Sequence, residues 1–457
     1  MEGICVRDIV KATGGRLLCG REETPVTHIS IDSRTVTDQD LFVPLVGEKV
    51  DAHQFLSQVA YKAAAVLTSE HDAVDSETAW IRVEDTKKAL QNVGAYYREK
   101  LTLPLVGITG SVGKTTTREM VAAALSAGFS VFKTPGNHNS QVGVPLTLSE
   151  ITKKDEIGVI ELGMSEPGEM TIIAQIARVN TAVITNIGIT HIEQLGSQQK
   201  IYEEKLHIQD GMTEDGILVL NGDDELLKTT KAAGDRKTIY YGTGENCDYR
   251  AVDLETKDGY PVFTAVHGDT KVPVSLQVMG SHQVLNAMAA LAVACEYGVP
   301  MEAAARALGE YTGFQGRQQI YHEHEMTIID DTYNASPVSM IAGLDVLYNT
   351  RGSRKIAVLA DMKELGPEVA RFHKEVGETI KDRPVDLLLL LGDLAKNIGE
   401  GAGSDIRQQH FTDREQLKAY LAACLQPGDC ILLKGSNSMK LGEVAAFVRQ
   451  HASALEK

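Results

Sequence analysis

Short apolar runs alternate with longer amphipathic stretches through the middle of the chain, starting at residue 105. The predicted strands lie at residues 105–109, 158–161, 182–185 and 218–220. Between them the apolar positions have helical spacing, and two clear helices are predicted at 118–127 and 283–297. Because strands that alternate with helices usually form a parallel sheet, this region predicts an α/β domain.

The segments on either side predict two further domains. Before the middle region, strands are predicted at 29–34, 41–44 and 64–67, and helices at 54–63 and 86–100. After it, four strands separated by helices are predicted at 326–329, 356–360, 387–391 and 430–433. Pro104 and the glycine-containing stretch 310–316 are the predicted linkers and hinges. The expected fold class is α/β with three domains, at residues 1–103, 104–314 and 315–457.

The three domains are expected to differ in kind. The first is small, whereas the central one has the parallel sheet. Residues 248–279 interrupt its alternation with Asp258-Gly259 and Gly268-Asp269 between short runs, which predicts a small antiparallel hairpin region. The C-terminal domain resembles a doubly wound Rossmann-like domain, although it has no GxGxxG fingerprint.

Composition narrows the function classes. The 457 residues have a net charge of −17 and no Lys/Arg-rich run, which argues against nucleic-acid binding. The longest apolar run, 385–391, is too short to span a bilayer, and the N-terminal residues do not resemble a signal peptide. Six scattered cysteines without a CxxC pair are typical of reduced thiols. We therefore expect a cytoplasmic protein with no membrane insertion.

The chemistry begins at a glycine-rich turn between the strand at 105–109 and the following helix. The turn and its flank comprise Gly110, Ser111, Val112, Gly113, Lys114, Thr115 and Thr116. Its glycines allow backbone N–H groups to face phosphate oxygens, its lysine can reach the terminal phosphates, and the Thr115 hydroxyl can bind Mg²⁺. The usual first glycine is replaced by Ile108, so a plain connecting turn is the alternative. The flanking strand and helix favour a nucleotide site.

Polar residues follow several central strands at the edge where ligands of open α/β sheets bind. Glu161 follows one strand, and His191 lies on the loop after the next. With Thr115 they form a candidate Mg²⁺ site, although nitrogen is an unusual ligand for that ion. Taken singly, such residues are usually solvated turn or surface residues, so the argument depends on their convergence.

These motifs, in their order along the chain, resemble the Mur ligases over nearly the whole length. The matching segments are 106–116, 137–145, 161–164, 185–191, Lys205 within Tyr-Glu-Glu-Lys, 280–286, 316–317, 330–337, 359–366 and 433–439. The last three resemble the family branch that joins D-Ala-D-Ala to a UDP-muramoyl-tripeptide. The resemblance implies an ATP-dependent ligase of peptidoglycan synthesis, and hence of cell-wall growth, cell shape and cell division. It also implies that the enzyme acts on these small molecules as a monomer.

The resemblance also implies roles for single residues. Ser33, Arg34 and the loop 47–53 would lie near the UDP-sugar. Asn286 would lie near adenine, Arg317 near the phosphates and Asp331 near the ribose. The remaining implied residues are Asn139 as a stabiliser of developing negative charge, and Asp361, Glu364 and Lys434 as dipeptide contacts. The alternative for 361–366 is a turn that caps a helix.

Lys205 has a separate argument. On a helix after two glutamates it would ordinarily be a solvated cation. Beside Mg²⁺ its charge would be repelled and its pKa depressed, and the neutral amine could capture CO₂ as a carbamate. The family resemblance suggests this modification, which would make Lys205 an anionic metal ligand and one of the catalytic residues with Lys114, Asn139, Glu161 and His191.

Three rival functions stay open from the sequence. A sister ligase that adds one amino acid would have Asp-Asn-Pro-Arg, which is absent. A phosphate-loop NTPase switch would have a guanine-reading Asn-Lys-x-Asp, which is also absent. A dinucleotide-dependent dehydrogenase would have the GxGxxG fingerprint.

Overall fold

The computed structural model describes residues 1–47, 49–73 and 77–452. These residues form three mixed α/β units, each built around its own sheet. Glu48, in the loop 47–53, lies outside the described residues. The predicted α/β fold class with a parallel central sheet is confirmed.

The first sheet has five strands in the order β1-β5-β4-β3-β2. Its strands are β1 (Arg16–Cys19), β2 (His28–Ser30), β3 (Asp40–Phe42), β4 (Ala65–Thr68) and β5 (Ala79–Arg82). Its helices are α1 (Val6–Thr13), α2 (Leu56–Val59) and α3 (Thr86–Lys100). The prediction of 86–100 is confirmed, whereas the helix predicted over 54–63 is only partly present. A 3₁₀ turn (Ala52–Phe55), capped by the Asp51 side chain at the His53 amide, leads into one turn of α-helix that ends at Val59.

The central sheet has nine strands in the order β14-β13-β12-β11-β10-β9-β6-β8-β7. Its strands are β6 (Leu105–Thr109), β7 (Val131–Lys133), β8 (Ile157–Glu161), β9 (Thr181–Ile184), β10 (Ile217–Asn221), β11 (Lys237–Gly242), β12 (Tyr249–Lys257), β13 (Tyr260–His267) and β14 (Thr270–Ser275). Its helices are α4 (Lys114–Leu125), α5 (Gly143–Ser149), α6 (Glu169–Ala177), α7 (Ile192–Leu195), α8 (Gln198–Leu206), α9 (Gln283–Glu296) and α10 (Met301–Leu308). All four central strands predicted from the sequence are present.

The predicted hairpin region is also present, with turns at Asp258-Gly259 and Gly268-Asp269. It is not a separate appendage, because β12 pairs in parallel with β11 through Tyr241 and Gly242. The hairpins therefore extend the central sheet, and the almost fully buried helix α9 packs beneath them. The sequence did not predict this because β11 was missed.

The C-terminal sheet has six strands in the order β15-β16-β20-β17-β18-β19. They are β15 (Gln319–Glu323), β16 (Met326–Asp331), β17 (Arg354–Ala360), β18 (Leu387–Leu391), β19 (Gln408–Phe411) and β20 (Asp429–Lys434). The helices are α11 (Pro337–Asn349), α12 (Val369–Ile380), α13 (Lys396–Ala402), α14 (Arg414–Cys424) and α15 (Leu441–Ala452). The four predicted strands form its buried centre. The two polar edge strands, β15 and β19, were missed because neither contains a run of buried apolar residues.

Helix α3 joins the first unit tightly to the central one. The Tyr97 hydroxyl donates to the Ile151 carbonyl at 2.8 Å, and Arg98 Nε donates to the Ala177 carbonyl at 2.8 Å. A side chain at Gly94 would lie 2.7 Å from Pro145 Cβ, so the two backbones are in close contact there. These contacts lie directly before Pro104 and resist independent motion of the first unit.

Candidate functional site

The glycine-rich turn has the backbone of a phosphate-binding loop. Gly110 has φ 147°, and a Cβ there would lie 1.9 Å from Thr185 Oγ1, so only glycine fits. The Ser111 and Val112 amides donate to Asn186, the latter at 2.9 Å to its side chain. The loop is thus held in shape by the strand end next to it.

Helix α4 begins at Lys114, so the prediction that it begins at residue 118 is wrong. Gly113, with φ 87°, is its N-cap and turns the chain directly from the loop into the helix. Thr115 and Thr116 therefore lie in the first helical turn, where free backbone N–H groups and the helix dipole favour anions. The sequence missed this start because threonines are weak helix formers.

Lys114 bends back over the loop, where its Nζ donates to the Gly110 carbonyl at 2.8 Å. Burial lowers the pKa of Lys114, and the nearby charge of Arg317 lowers it further, whereas Glu161 opposes the shift. A desolvated ammonium group beside the loop interacts strongly with any phosphate that enters.

Glu161, at the end of β8, is the centre of a buried polar cluster. Its carboxylate accepts from Thr115 Oγ1 at 3.0 Å, from Asn139 Nδ2 at 2.8 Å and from Arg118 Nη1 at 3.2 Å. Arg118 also binds Glu119 at 2.6 Å and is fully buried. Arg118 was not predicted from the sequence, because an arginine on a helix is ordinarily a surface residue.

The hydroxyl of Thr115 and the carboxylate of Glu161 fit a hard divalent cation. Their oxygen atoms lie 3.0 Å apart at the helix start, and Mg²⁺ prefers such ligands. Among residues 1–47, 49–73 and 77–452, no group of three or more His, Cys, Asp or Glu is placed to bind a metal. A cation here would therefore be held by the Thr115 hydroxyl, the Glu161 carboxylate and ligands that do not form a cluster of His, Cys, Asp or Glu.

Arg317 reaches the phosphate loop from the segment that leads into the C-terminal unit. Its Nη2 donates to Thr115 Oγ1 at 3.0 Å, and its guanidinium stacks 3.7 Å above the Tyr333 ring. Its Nε is buried without a hydrogen-bond partner in the described part of the chain. Burial lowers the pKa of Arg317, although Glu161 opposes the shift. Arg317 is therefore a cation beside the loop whose Nε–H group has no hydrogen-bond partner in the described residues.

Asp331 and Lys434 form a buried ion pair at the ends of neighbouring strands β16 and β20, with 2.7 Å between Nζ and Oδ2. Lys434 also donates to the Asn334 carbonyl at 3.0 Å. Burial lowers the pKa of Lys434, whereas Asp331 raises it. Lys434 is thus fixed within the protein, and a direct dipeptide contact stays a prediction.

Asn286 lies on α9 against the loop. Its Oδ1 accepts from Thr117 Oγ1 at 3.0 Å, and its Nδ2 donates to Gln283 Oε1 at 2.9 Å. A Cβ on Gly113 would lie 3.1 Å from that Oδ1. The residue therefore joins α9 to α4 behind the phosphate loop, and its adenine contact stays a prediction.

Lys205 is buried on α8 with only 2% of its surface exposed, so the solvated-lysine alternative is wrong. Burial, followed by the charge of Lys114, lowers the pKa of Lys205 well below its ordinary value. In the described residues, no hydrogen bond or ion pair reaches its Nζ. The structure thus places an amine whose charged form is disfavoured by burial near the phosphate-loop lysine.

His191 and Glu364 meet across the boundary between the central and C-terminal units. His191 Nδ1 lies 2.6 Å from Glu364 Oε2. The contact is close, but Nδ1 does not meet the angular requirement of a hydrogen bond. His191 lowers the pKa of the Glu364 carboxyl.

Asp361 lies at the end of β17 and binds the backbone just before α13, so it does not cap the next helix along the chain, α12, as the alternative held. Its Oδ1 accepts from the amides of Leu394 and Ala395, at 2.9 and 2.8 Å, just before α13. Its Oδ2 pairs with Lys363 at 2.8 Å. A dipeptide contact by Asp361 stays a prediction.

Ser33 and Arg34 lie after β2 in the first unit. Ser33 is half-buried, whereas Arg34 is exposed and pairs with Asp32 at 2.6 Å. Hydrogen bonds from Arg34 lower the pKa of Asp32 to about 2. The arginine is available to an incoming anion, and its contact with the UDP-sugar stays a prediction.

Comparison with known proteins gives the same family along almost the whole chain. A model of the Mur ligase middle domain matches residues 108–294, and a model of the Mur ligase, glutamate ligase domain matches 316–437.

The relatives extend this match. The UDP-N-acetylmuramoyl-tripeptide–D-alanyl-D-alanine ligase of Bacillus subtilis is 37% identical over 96% of this chain and 97% of its own. The crystal structure of MurF from Acinetobacter baumannii has a TM-score of 0.89, at 30% identity, and 98% of each chain is covered. MurF ligase from Thermotoga maritima, in complex with ADP, has a TM-score of 0.83 at 29% identity, covering 94% of this chain and 99% of that one. This chain belongs to the Mur ligase family.

Proposed function

We propose that this protein joins D-alanyl-D-alanine to UDP-N-acetylmuramoyl-tripeptide, with ATP cleaved to ADP and phosphate, in the synthesis of the peptidoglycan precursor. The observation that carries the proposal is the position of Thr115 at the phosphate loop, where its Oγ1 lies 3.0 Å from Glu161 Oε2 and 3.0 Å from Arg317 Nη2. The full-length similarity to enzymes named for this reaction supports the choice of substrates.

ATP would bind with its phosphates on the loop 110–113 and the first turn of α4. Lys114 would exchange its bond to the Gly110 carbonyl for the terminal phosphates, and Arg317 would offer its unused donor. Asp331 would contact the ribose and Asn286 would lie near adenine. The ADP complex named for the Thermotoga maritima relative supports a nucleotide in this fold.

Mg²⁺ would be held by Thr115 and Glu161, whose oxygen atoms fit it, with His191 as a further ligand. Lys205 would take part as a carbamate, because a buried, neutral and unpaired amine is the form that reacts with CO₂. The bound ion would neutralise phosphate charge as it develops. These assignments extend beyond the family membership and rest on the donor chemistry of the four side chains.

The reaction needs an activated acid, because a carboxylate does not react with an amine at neutral pH. A carboxylate oxygen of the tripeptide forms a bond to the γ-phosphorus of ATP, the β–γ bridging bond breaks, and ADP and an acyl phosphate result. The free amine of D-Ala-D-Ala then bonds to the acyl carbon and loses a proton as phosphate leaves. Lys114, Arg317 and Asn139 would stabilise the negative charge of both steps.

The remaining assignments concern substrates and cell location. Ser33, Arg34 and the loop 47–53 would bind the UDP-sugar, and Asp361 and Lys434 are the proposed dipeptide contacts, with Glu364 as a third residue that the family resemblance suggests for the dipeptide. None of the helices described is long and apolar enough to cross a membrane. All six cysteines are free. We further propose that the protein acts as a monomer in the cytoplasm, on precursors dissolved there.

The test is phosphate release by the full-length enzyme. It should require ATP, UDP-N-acetylmuramoyl-tripeptide and D-Ala-D-Ala together. Equal release without the dipeptide would support an NTPase switch. Release that is stimulated by a single amino acid rather than by the dipeptide would support a sister ligase.

A further inference from the structure

We infer that Glu364 is a positioning residue that orients His191 from the opposite domain, so that the metal site of the central unit depends on a side chain of the C-terminal unit. The inference rests on the proposed function, because it concerns the metal site of that reaction. It gives Glu364 a different role from the dipeptide contact suggested by the family resemblance.

The contact joins two loops that are far apart in the chain. His191 follows β9 and is the N-cap of α7, and Glu364 follows β17 in the segment before the 3₁₀ turn Gly366–Glu368. Their side chains approach to 2.6 Å, and His191 is largely buried, with 17% of its side chain exposed. Through this contact the C-terminal unit places a carboxylate directly against a loop of the central unit.

Both residues have left-handed backbones, with φ 64° at His191 and φ 63° at Glu364. Side chains other than glycine rarely adopt this conformation, and it persists where the surroundings impose it, commonly at functional sites. Both strained residues point their side chains at each other. The strain therefore lies at the two ends of one interdomain contact.

The surrounding surfaces are packed, so the contact is not an isolated pair of surface charges. A Cβ on Gly366 would lie 3.6 Å from Glu193 Cα, which places the 3₁₀ turn directly against α7. Ile189, two residues before His191, packs against the hydrophobic core of the C-terminal unit. The two loops thus come together as one built interface.

The chemistry follows from which ring nitrogen faces the carboxylate. Glu364 lies at Nδ1, and no residue of the described ranges forms a hydrogen bond with Nε2. Histidine ligands usually donate the ring N–H not used for the metal to a carboxylate, which fixes the tautomer and the ring orientation. A small rotation of the ring or of the carboxylate would align the N–H with Oε2. His191 could then present Nε2 as the ligand.

The experiment uses full-length enzyme with Mn²⁺ in place of Mg²⁺ and with ADP present, but no dipeptide. Wild type, Glu364→Ala, Glu364→Gln and the control Glu368→Gln are compared. Glu368 belongs to the same segment but is exposed and pairs with Arg371. Bound Mn²⁺ is counted by electron paramagnetic resonance, and coupling of its signal to ¹⁵N-histidine reports ligation by a ring nitrogen.

Glu364→Ala should weaken Mn²⁺ binding by about tenfold or more and reduce the ¹⁵N coupling. Glu364→Gln, which can still accept a hydrogen bond, should retain more of both, and Glu368→Gln should match wild type. Unchanged Mn²⁺ affinity and coupling in Glu364→Ala, with a raised KM for D-Ala-D-Ala, would overturn the inference in favour of a dipeptide contact. Failure of wild type itself to release phosphate with all three substrates would instead overturn the proposed function.

Discussion

Replacing Lys205 with alanine tests the proposed carbamate directly. The wild-type amine is 2% exposed and lies near Lys114, whose charge adds to the effect of burial on its pKa. If the amine carries a carbamate, the variant loses an anion from the metal site. Removal of one preorganised charge-stabilising group commonly costs on the order of a hundredfold in rate, and we expect at least that loss in phosphate release.

The stability of a second variant, Lys205→Met, separates this role from a structural one. A buried lysine with a lowered pKa binds fewer protons in the folded state than in the unfolded state. Stability therefore rises with pH between the lowered value and the ordinary value of about 10.4. Methionine cannot titrate, so the variant should lack this rise, whose slope is at most about 1.4 kcal/mol per pH unit. In CO₂-free buffer at pH 7 it should be at least as stable as wild type.

The assay is phosphate release with all three substrates, with and without acetate or propionate. A small carboxylate that enters the space left by Lys205→Ala should restore part of the rate, because the missing element is an anion. The same acids should not stimulate wild type. Full activity of Lys205→Ala without added acid would refute the reasoning, as would strong destabilisation of Lys205→Met at pH 7 in urea denaturation.

Three further substitutions have defined outcomes. Lys114→Ala should reduce phosphate release on the order of a hundredfold or more and leave the circular dichroism spectrum unchanged, since its bond is to the loop itself. Arg118→Met should leave Glu161 buried without its cation and Glu119 paired with Lys133 alone, and should destabilise the central domain by about 3–5 kcal/mol, as measured by urea denaturation. Gly110→Ala should abolish ADP binding in calorimetry, because its Cβ would clash with Thr185. A near-normal value in any of these assays would show that the contact in question does not have the stated role.

The phosphate loop and the buried strands were predictable because their signals are local. The loop needs glycines and a lysine at fixed spacing, and strands such as β6 and β18 are continuous apolar runs. Roles that depend on residues far apart in the chain were not predictable in the same way. The burial of Lys205 and the three donors on Glu161 arise only when several strand ends come together.

Local sequence also failed where tertiary contacts decide the structure. Helix α4 begins at Lys114 although the apolar pattern begins later, because Gly113 and the neighbouring Asn186 fix the turn. The edge strands β15 and β19 have few buried residues, so their sequences lack the pattern of apolar residues that predicts a strand. The pairing of β12 with β11 likewise depends on backbone contacts that the side-chain pattern does not encode.

The two predicted hinges, near Pro104 and at 310–316, differ in the contacts that surround them. Before Pro104, α3 is fixed to the central unit by Tyr97 and Arg98, both buried. After 310–316, the C-terminal unit is joined to the central one by polar contacts, Arg317 with Thr115 and the His191–Glu364 pair, and by apolar packing that includes the partly buried Ile189. Polar interdomain contacts separate more readily than buried packed ones, so the C-terminal unit should be the one that moves.

Distances between spin labels can test this difference. Labels at Glu23, Lys154 and Glu415, all exposed, report on the first, central and C-terminal units. Because the chain has six native cysteines, the labels are best attached through an unnatural amino acid. Adding an ATP analogue with UDP-N-acetylmuramoyl-tripeptide should narrow and shift the Lys154–Glu415 distribution and leave Glu23–Lys154 unchanged. A shift in Glu23–Lys154 as large as that in Lys154–Glu415 would show that the contacts of α3 do not hold the first two units together, and the hinge near Pro104 would then be as active as the one near residue 316.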